Sequence, residues 1–213
     1  MAGAGKAFWK NTRKPEGLGG KIMVSMMNIA HCAIAHWGFR FLNAAADANV
    51  LDCGCGGGAN IQRLLRKCPR GTVRGIDYSP VSVEKARRVN RAAIAEGRCE
   101  ILPASVTTLP FEAAQFDLVT AFETVYFWPD LPRSLREVCR VLKPGGAFLI
   151  CNECGDPERG RKWSEMIDGM AVYSGVQLKA ALEQAGFSGV QVRKNKGGWL
   201  CVTAEKPREE RKI

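Results

Sequence analysis

The residues best suited to chemistry are a glycine-rich loop and an acidic residue downstream of it. The loop runs from Asp52 to Gly58 as Asp-Cys-Gly-Cys-Gly-Gly-Gly and closes an apolar run. Glycines let a backbone approach a ligand closely, and the N-terminus of a following helix offers free N–H groups. Asp77 ends the next apolar run, about 20 residues on, where a carboxylate can accept both hydroxyls of a ribose. The spacing predicts a nucleotide-like site, with a turn or helix-capping carboxylate as the alternative for Asp77.

Apolar runs and helical stripes alternate along the chain, and they must hold this loop in place. The runs predicted as strands are Asn49–Cys53, Thr72–Asp77, Cys99–Ala104, Phe116–Phe122, Ala147–Cys151, Val190–Arg193 and Trp199–Ala204. The predicted helices cover Asn60–Lys67, Pro80 to about Glu96, a stripe through Leu131, Leu135, Val138 and Leu142, and Val176–Ala185. This alternation predicts an α/β fold, with a mostly parallel sheet covered by helices on both faces. The last two strands predict an antiparallel C-terminal hairpin.

The segment Ile22–Phe39 lacks Lys, Arg, Asp and Glu and follows a basic leader. Its apolar residues recur at helical spacing, which predicts an amphipathic helix from about Lys21 to Asn43 that packs over the domain as a lid. A basic start before an apolar stretch is also typical of a signal peptide, and such a stretch could attach to a membrane. We favour the lid, because the polar side chains within the stretch are costly in hydrocarbon.

Composition is that of an ordinary globular protein. The 213 residues are 46% hydrophobic and 24% charged, so the chain can bury a core without disulfides or metal. Its nine scattered cysteines predict reduced thiols and a cytoplasmic location. The net charge of +10 permits an anionic partner without demonstrating one. We expect a basic tail and lid helix over residues 1–47, one domain over 48–205 and a charged tail over 206–213.

In combination, these motifs resemble those of class I S-adenosylmethionine-dependent methyltransferases of the small, seven-stranded kind. The resemblance runs from about Ala48 to Ala204. The segment from Asp52 to Gly58 is similar to the D-x-G-x-G-x-G loop that wraps the methionine part of the cofactor in that family. The resemblance implies a Rossmann-like, seven-stranded sheet. It also implies S-adenosyl-L-methionine as the cofactor and S-adenosyl-L-homocysteine as its product.

The resemblance further implies which residues hold the cofactor. Asp77 stands where the family binds the ribose, and Tyr78 stands beside the adenine. Ser105 follows the third strand, at a position where the family commonly has an adenine-binding Asp. The implied cofactor-binding set is Asp52, Gly54, Cys55, Gly56, Gly58, Asp77, Tyr78, Ser105, Val106 and Ala121.

Candidate catalytic residues lie on the acceptor side. Methyl transfer is an in-line displacement, so the protein mainly positions the acceptor, and a base is needed only for a protonated acceptor. The loop after the fourth strand borders the methyl group in the family. In it Glu123 could take a proton, bind the cofactor's amino end or attract a cation, and Tyr126 could position the acceptor. His31 on the N-terminal helix could act as a base. The structural alternatives are a capping carboxylate, an aromatic wall and a packing histidine.

Several absences narrow the chemistry. The chain has no Asn-Pro-Pro-Tyr-like segment after the fourth strand and no Pro-Cys dipeptide. In the family, these motifs accompany methylation of adenine or glutamine amines and of pyrimidine C5. His31 and His36 diverge around a helix, and the closely spaced cysteines fall at strand ends, so no metal site is predicted.

We therefore expect methyl transfer to a small-molecule acceptor. Most of the basic residues fall on the outer faces of the predicted helices, away from the pocket. An RNA or protein methyltransferase that uses the basic surface is the alternative. A non-catalytic cofactor binder or a dehydrogenase also stays open, because Gly54, Gly56 and Ala59 fit a loose dinucleotide fingerprint. No stable membrane insertion is expected, and the oligomeric state is left open.

Overall fold

Seven strands form one sheet in the computed structural model, which describes residues 17–208. The strands are β1 Asn49–Cys53, β2 Thr72–Asp77, β3 Cys99–Pro103, β4 Phe116–Phe122, β5 Leu142–Asn152, β6 Ser188–Lys194 and β7 Leu200–Glu205. Their order across the sheet is β3-β2-β1-β4-β5-β7-β6. The first five strands run parallel, and β7 pairs antiparallel with both β5 and β6. The predicted seven-stranded, mostly parallel sheet with a C-terminal hairpin is confirmed.

Helices cover both faces of the sheet, as predicted. They are α1 Gly17–Ala30, α2 Cys32–Phe39, α3 Ala59–Lys67, α4 Pro80–Val89, α5 Arg91–Ala95, α6 Leu131–Val141, α7 Pro157–Met166 and α8 Gly175–Gln184. On one face, Leu135 of α6 and Leu182 of α8 share a buried cluster with Phe148. On the other face, a second cluster joins Ile34 of α2 and Ile61 of α3 to the sheet.

The N-terminal segment forms two helices rather than the single helix predicted over Lys21–Asn43. They meet at His31, and Met23, Val24, Ile34 and Ala35 are buried. At Gly38 of α2 an added Cβ would lie 2.7 Å from Cys151 Sγ, so only glycine permits this close approach to β5. Within residues 17–208, no helix combines the length and apolarity that a bilayer crossing requires. Residues 1–16 of the predicted basic tail and 209–213 of the C-terminal tail lie outside the described residues.

Several strand and helix ends differ from the sequence prediction by one or two residues, and three differences are larger. Leu142 was assigned to the helical stripe but is the first residue of β5, where its fully buried side chain lies in the core and its backbone pairs with Phe116. The helix predicted from Pro80 to Glu96 is interrupted at Asn90, which separates α4 from α5. Helix α7 was not predicted, although Asp156 caps its N-terminus and Pro157 opens it.

Asn90 interrupts the helix because its side chain bonds to the backbone. Its Nδ2 donates to the carbonyl of Ala86, at 2.9 Å, and to that of Gly58, at 3.0 Å. Such local bonds compete with helix continuation. The second bond fastens the N-cap of α3 to α4, so Asn90 joins the glycine-rich loop to the helix beyond β2.

We expect Asn90→Ala to lower the free energy of unfolding by about 1–2 kcal/mol, because it removes two buried hydrogen bonds, to the carbonyls of Gly58 and Ala86. Urea unfolding measures the change. The matched control is Asn43→Ala at an exposed position, which should change the free energy by less than about 0.5 kcal/mol. Equal effects of the two substitutions would contradict the structural role given to Asn90.

Candidate active site

A cleft opens at the carboxyl ends of β1, β2 and β4, beneath the N-terminal helices. It encloses about 870 Å³, including the part open to solvent, which is within the range of small-molecule sites. The glycine-rich loop, Asp77, Tyr78 and Glu123 form its floor and one side. The opposite side comes from Val24 and Met27 of α1, His31, and Ile34 and Ala35 of α2. Parallel sheets bind ligands at this edge, where the strand order reverses.

Asp77 ties two segments of the cleft together. Its Oδ2 accepts from the N–H of Gly56, at 3.0 Å, and its Oδ1 accepts from the N–H of Ser79, at 2.9 Å. Burial raises the pKa of the Asp77 carboxyl, although the two N–H donors favour its charged form. Each carboxylate oxygen can accept a further bond. The side chain is therefore both a structural tie and an acceptor at the cleft wall.

Glycine is required at two positions of the loop. Gly54 has φ +74°, and a Cβ there would lie 2.0 Å from Thr124 Oγ1. Gly58 has φ +80°, and a Cβ there would meet Asn90 at 2.5 Å. Both conformations are rare for residues with a side chain. Gly54, Cys55, Gly56 and Gly57 line the cleft, whereas Gly58 serves as the N-cap of α3.

Asp52 lies beneath the cleft rather than on its wall. It is 2% exposed, and its Oδ1 accepts from the Thr120 hydroxyl at 2.7 Å. Burial raises the pKa of Asp52 to about 7; the Thr120 bond opposes this rise, and the charge of Asp77 adds to it. The Asp52 carboxyl, which lies under the loop, is therefore harder to ionise than an ordinary carboxyl.

Three other predicted cofactor residues do not line the cleft. Ser105 is exposed and bonds to Thr107 Oγ1 at 2.8 Å. Val106 and Ala121 are buried in the core cluster of one sheet face. Tyr78, by contrast, lines the cleft and is 42% exposed. The cofactor roles predicted for Ser105, Val106 and Ala121 stay predictions.

Glu123 stands at the end of β4 and joins the loops after β4 and β5. Its backbone N–H donates to the carbonyl of Cys151 at 2.9 Å, and its carboxylate accepts a short bond from the N–H of Glu153. Its φ of +57° is unusual for a residue with a side chain, a form of strain often found at functional sites. Burial, and then the charge of Glu153, raise the pKa of Glu123 to about 8.

Tyr126 makes a second tie between the same two loops. Its hydroxyl donates to the carbonyl of Cys154, at 3.1 Å, and accepts from the N–H of Cys154, at 2.8 Å. Burial raises the pKa of Tyr126 well above its usual value. Both functions of the hydroxyl are engaged, so the structure supports a positioning role for this side chain.

His31 faces Glu123 and Glu153 across the top of the cleft. One ligand-type atom from each of these three side chains lies within 4.8 Å of the others. Burial lowers the pKa of His31, and the charge of Glu153 opposes that change. Sequence reasoning places these three residues toward one pocket, but it could not predict that their polar atoms meet, because they lie on three separate segments of the chain.

A second cavity of about 980 Å³, partly open to solvent, begins where the cleft ends. Glu123 lines both. The other walls come from Tyr126, from the loop after β5, from α7 with the segment that follows it, and from the turn between β6 and β7. They include Glu153, Cys154, Asp156, Arg159, Trp163, Ile167, Met170, Gly197, Gly198 and Trp199.

Sequence reasoning missed most of this second cavity. The segment 153–170 carries no motif, but Asp156 followed by Pro157 is an ordinary helix-start signal that could have located α7. Arg63 and Asn60, which line the cleft from α3, were also missed. Both lie in the first two turns of α3. A sequence motif does not show which way a side chain on that helix points.

Comparisons with known proteins agree with this geometry. Residues 51–150 match the family described as a methyltransferase domain. The O-methyltransferase resE of Aspergillus sclerotiorum is 29% identical over 152 residues, which cover 68% of this chain and 57% of that protein. The chain therefore spans little more than half the length of that relative.

Solved structures share the fold. The Haloferax volcanii methyltransferase, in complex with the Trm112 methyltransferase activator, superposes with a TM-score of 0.80 at 22% identity, covering 89% of this chain and 95% of that one. The geranyl diphosphate C-methyltransferase of Streptomyces coelicolor, solved with S-adenosyl-L-homocysteine, gives 0.70 at 18% identity, covering 82% and 75%. These structures confirm the predicted fold. The match of residues 51–150 to the methyltransferase domain bears out the predicted family resemblance and the cofactor that it implies.

The raised pKa of Glu123 predicts a pH-dependent effect of Glu123→Gln on stability. Below about pH 4.5 the carboxyl is protonated in both states; as the pH rises toward about 8 only the unfolded state ionises, so the group increasingly destabilises the fold. The glutamine variant should gain free energy of unfolding, relative to the unaltered protein, between about pH 5 and 8, and the gain should level off above that range.

Urea unfolding across this pH range measures the difference. Glu165→Gln, at an exposed carboxylate on α7, is the control and should give a difference that does not change with pH. Parallel stability curves for Glu123→Gln and the unaltered protein would show that the Glu123 pKa is ordinary.

Proposed function

We propose that this chain, whose residues 51–150 match the methyltransferase domain family, transfers a methyl group from S-adenosylmethionine to a small-molecule acceptor held in the second cavity. One observation supports this above the others: Glu123 lines both the cleft and the second cavity. The two spaces meet at the end of β4. An acceptor in the second cavity would therefore lie next to a ligand in the cleft.

The residues of the cleft fit the cofactor. An added Cβ at Gly56 would meet nothing within 4 Å, so the loop leaves open space above it for a close ligand. Asp77 offers carboxylate oxygens at the cleft wall for ribose hydroxyls, and the exposed ring of Tyr78 offers a face for the adenine. We propose that Gly54, Cys55 and Gly56 hold the methionine part.

When bound, S-adenosylmethionine supplies an electrophilic methyl carbon, and the chain supplies position and dryness. Val24, Met27 and Ile34 cover the cleft with apolar side chains, which exclude water from it. We propose this covering as the function of the N-terminal helices. The ties from Glu123 and Tyr126 to the loop after β5 fix the wall against which the acceptor lies.

Glu123 is the residue best placed to hold a proton for the acceptor. A carboxyl with a pKa of about 8 is poised near neutral pH. His31, within reach of the same carboxylates, is the second candidate. Because both functions of the Tyr126 hydroxyl are engaged by the backbone, we assign Tyr126 to positioning and not to proton transfer.

We also propose that the protein acts in the cytoplasm. All nine cysteines lie among the described residues, and each is a free thiol. A reducing compartment keeps such thiols unpaired.

Asp77→Ala should weaken S-adenosylhomocysteine binding about tenfold to a hundredfold, the scale of losing hydrogen bonds to a charged group. Isothermal titration calorimetry measures this. Glu96→Gln removes an exposed carboxylate that does not line the cleft and should leave the affinity unchanged. Unchanged affinity in Asp77→Ala would refute the ribose role of Asp77.

The size class of the acceptor is tested with methyl-labelled S-adenosylmethionine and a cell extract divided by ultrafiltration. We expect label from the active protein to appear in molecules of the small filtrate, and Asp77→Ala to reduce it strongly because cofactor binding is lost. Label confined to the retained fraction, and removed there by ribonuclease or protease, would replace the small-molecule proposal with an RNA or protein acceptor.

A further inference from the structure

The second cavity carries charge of the opposite sign to the chain as a whole. The chain has a net charge of +10. Among the described residues that line this cavity, three are carboxylates, Glu123, Glu153 and Asp156, and one is a cation, Arg159. An acidic cavity in a basic protein points to a ligand whose charge differs from that of nucleic acid.

Two of the three carboxylates face each other closely. Atoms of Glu123 and Glu153 lie within 4.8 Å, and Glu153 is exposed toward solvent. Their mutual repulsion contributes to the raised pKa of Glu123. A positive group placed beside both would offset that repulsion and favour the ionised form of Glu123.

Arg159 and Asp156 carry opposite formal charges, which offset each other within the cavity. Asp156 caps α7, where its Oδ1 accepts from the N–H of Glu158 at 3.0 Å. The Arg159 guanidinium packs against the turn between β6 and β7, where a Cβ at Gly198 would lie 2.5 Å from its Nη1. The charge of the cavity therefore rests on Glu123 and Glu153.

The remaining walls are aromatic and apolar. Trp163 and Trp199 line the cavity together with Ile167 and Met170. Indole faces attract organic cations through the ring quadrupole, most strongly when the cation is partly desolvated. Two carboxylates and two tryptophans in one cavity are a combination suited to an organic ammonium group.

We propose that the second cavity binds a positively charged amine, with its ammonium group at Glu123 and Glu153 and its carbon skeleton against Trp163 and Trp199. The assignment of this amine as the methyl acceptor rests on the proposed function, whereas its binding does not. Mg²⁺ and Ca²⁺ are disfavoured, because they take six or more oxygen ligands, while Glu123 already accepts from a backbone N–H and the tryptophan walls offer none. Zn²⁺, which accepts fewer ligands and a histidine nitrogen, is the competing occupant, because His31 lies beside the same two carboxylates.

The test compares three amines with their matched alcohols and carboxylic acids. The probes are benzylamine, phenethylamine and tryptamine, each titrated calorimetrically into the protein with and without S-adenosylhomocysteine. At least one amine should bind about tenfold or more tightly than its alcohol, and more tightly still than its acid, as expected for a charge-assisted contact.

Variants locate the effect. Glu153→Gln should reduce amine affinity about tenfold and leave alcohol affinity nearly unchanged, and Glu123→Gln should act in the same direction. Glu165→Gln removes an equal charge from α7 at a position outside the cavity lining, and it should leave both affinities unchanged. Glu153→Gln is informative even if Glu123→Gln folds poorly, because Glu153 is exposed and its N–H bond is kept.

Three results would overturn the proposal: no amine binds, alcohols or acids bind as tightly as the amines, or Glu153→Gln has no more effect than Glu165→Gln. Binding of Zn²⁺ or Mg²⁺ that depends on both carboxylates, without amine binding, would also overturn it and assign a metal site. Amine binding by a protein that fails to bind S-adenosylhomocysteine would support this inference while refuting the proposed function.

Discussion

The Asp77 carboxylate accepts hydrogen bonds from the N–H groups of two different segments. Gly56 lies in the loop after β1, and Ser79 lies in the turn between β2 and α4. Neither segment is held in its position by regular secondary structure. The N–H groups of Gly54 and Cys55, which donate to the carbonyl of Ile76 at 2.8 and 2.9 Å, also hold the glycine-rich loop to the end of β2. The carboxylate oxygens that join these two segments are the same atoms that we propose to bind a ribose. The geometry of the loop and the proposed recognition of the ribose are therefore coupled through this side chain.

Glu123 joins two loops in the same way on the side of the cleft that meets the second cavity. It ends β4, the strand between β1 and β5, so its carboxylate is within reach of both the cleft and the loop after β5. A positive φ there directs the chain into the short turn that carries Tyr126. Burial and the charge of a neighbouring carboxylate act on it together. The structure therefore holds a titratable group at the junction of the cleft and the second cavity, and this placement costs stability.

The sheet and the position of the cleft could be predicted from the sequence because they follow from alternating apolar runs and one glycine-rich turn. Ser105, Val106 and Ala121 show the limit of this reasoning: a motif places a residue at a strand end but does not fix where its side chain points. Leu142 shows another limit, since tertiary pairing with Phe116 drew it into β5. The grouping of His31 with Glu123 and Glu153 depends on how α2 docks, which no local pattern encodes.

The matched family region ends at residue 150, whereas most walls of the second cavity come from residues 153–199. The matched region, which carries the proposed cofactor residues, and the segment that forms most of the second cavity are therefore consecutive in the sequence. Replacing α7 and the turn between β6 and β7 would alter the second cavity and leave intact the strands that carry Asp77 and Glu123. Exchange of C-terminal segments between relatives would then change the proposed acceptor site and leave the proposed cofactor site unchanged. The selectivity for the acceptor should move with the exchanged segment.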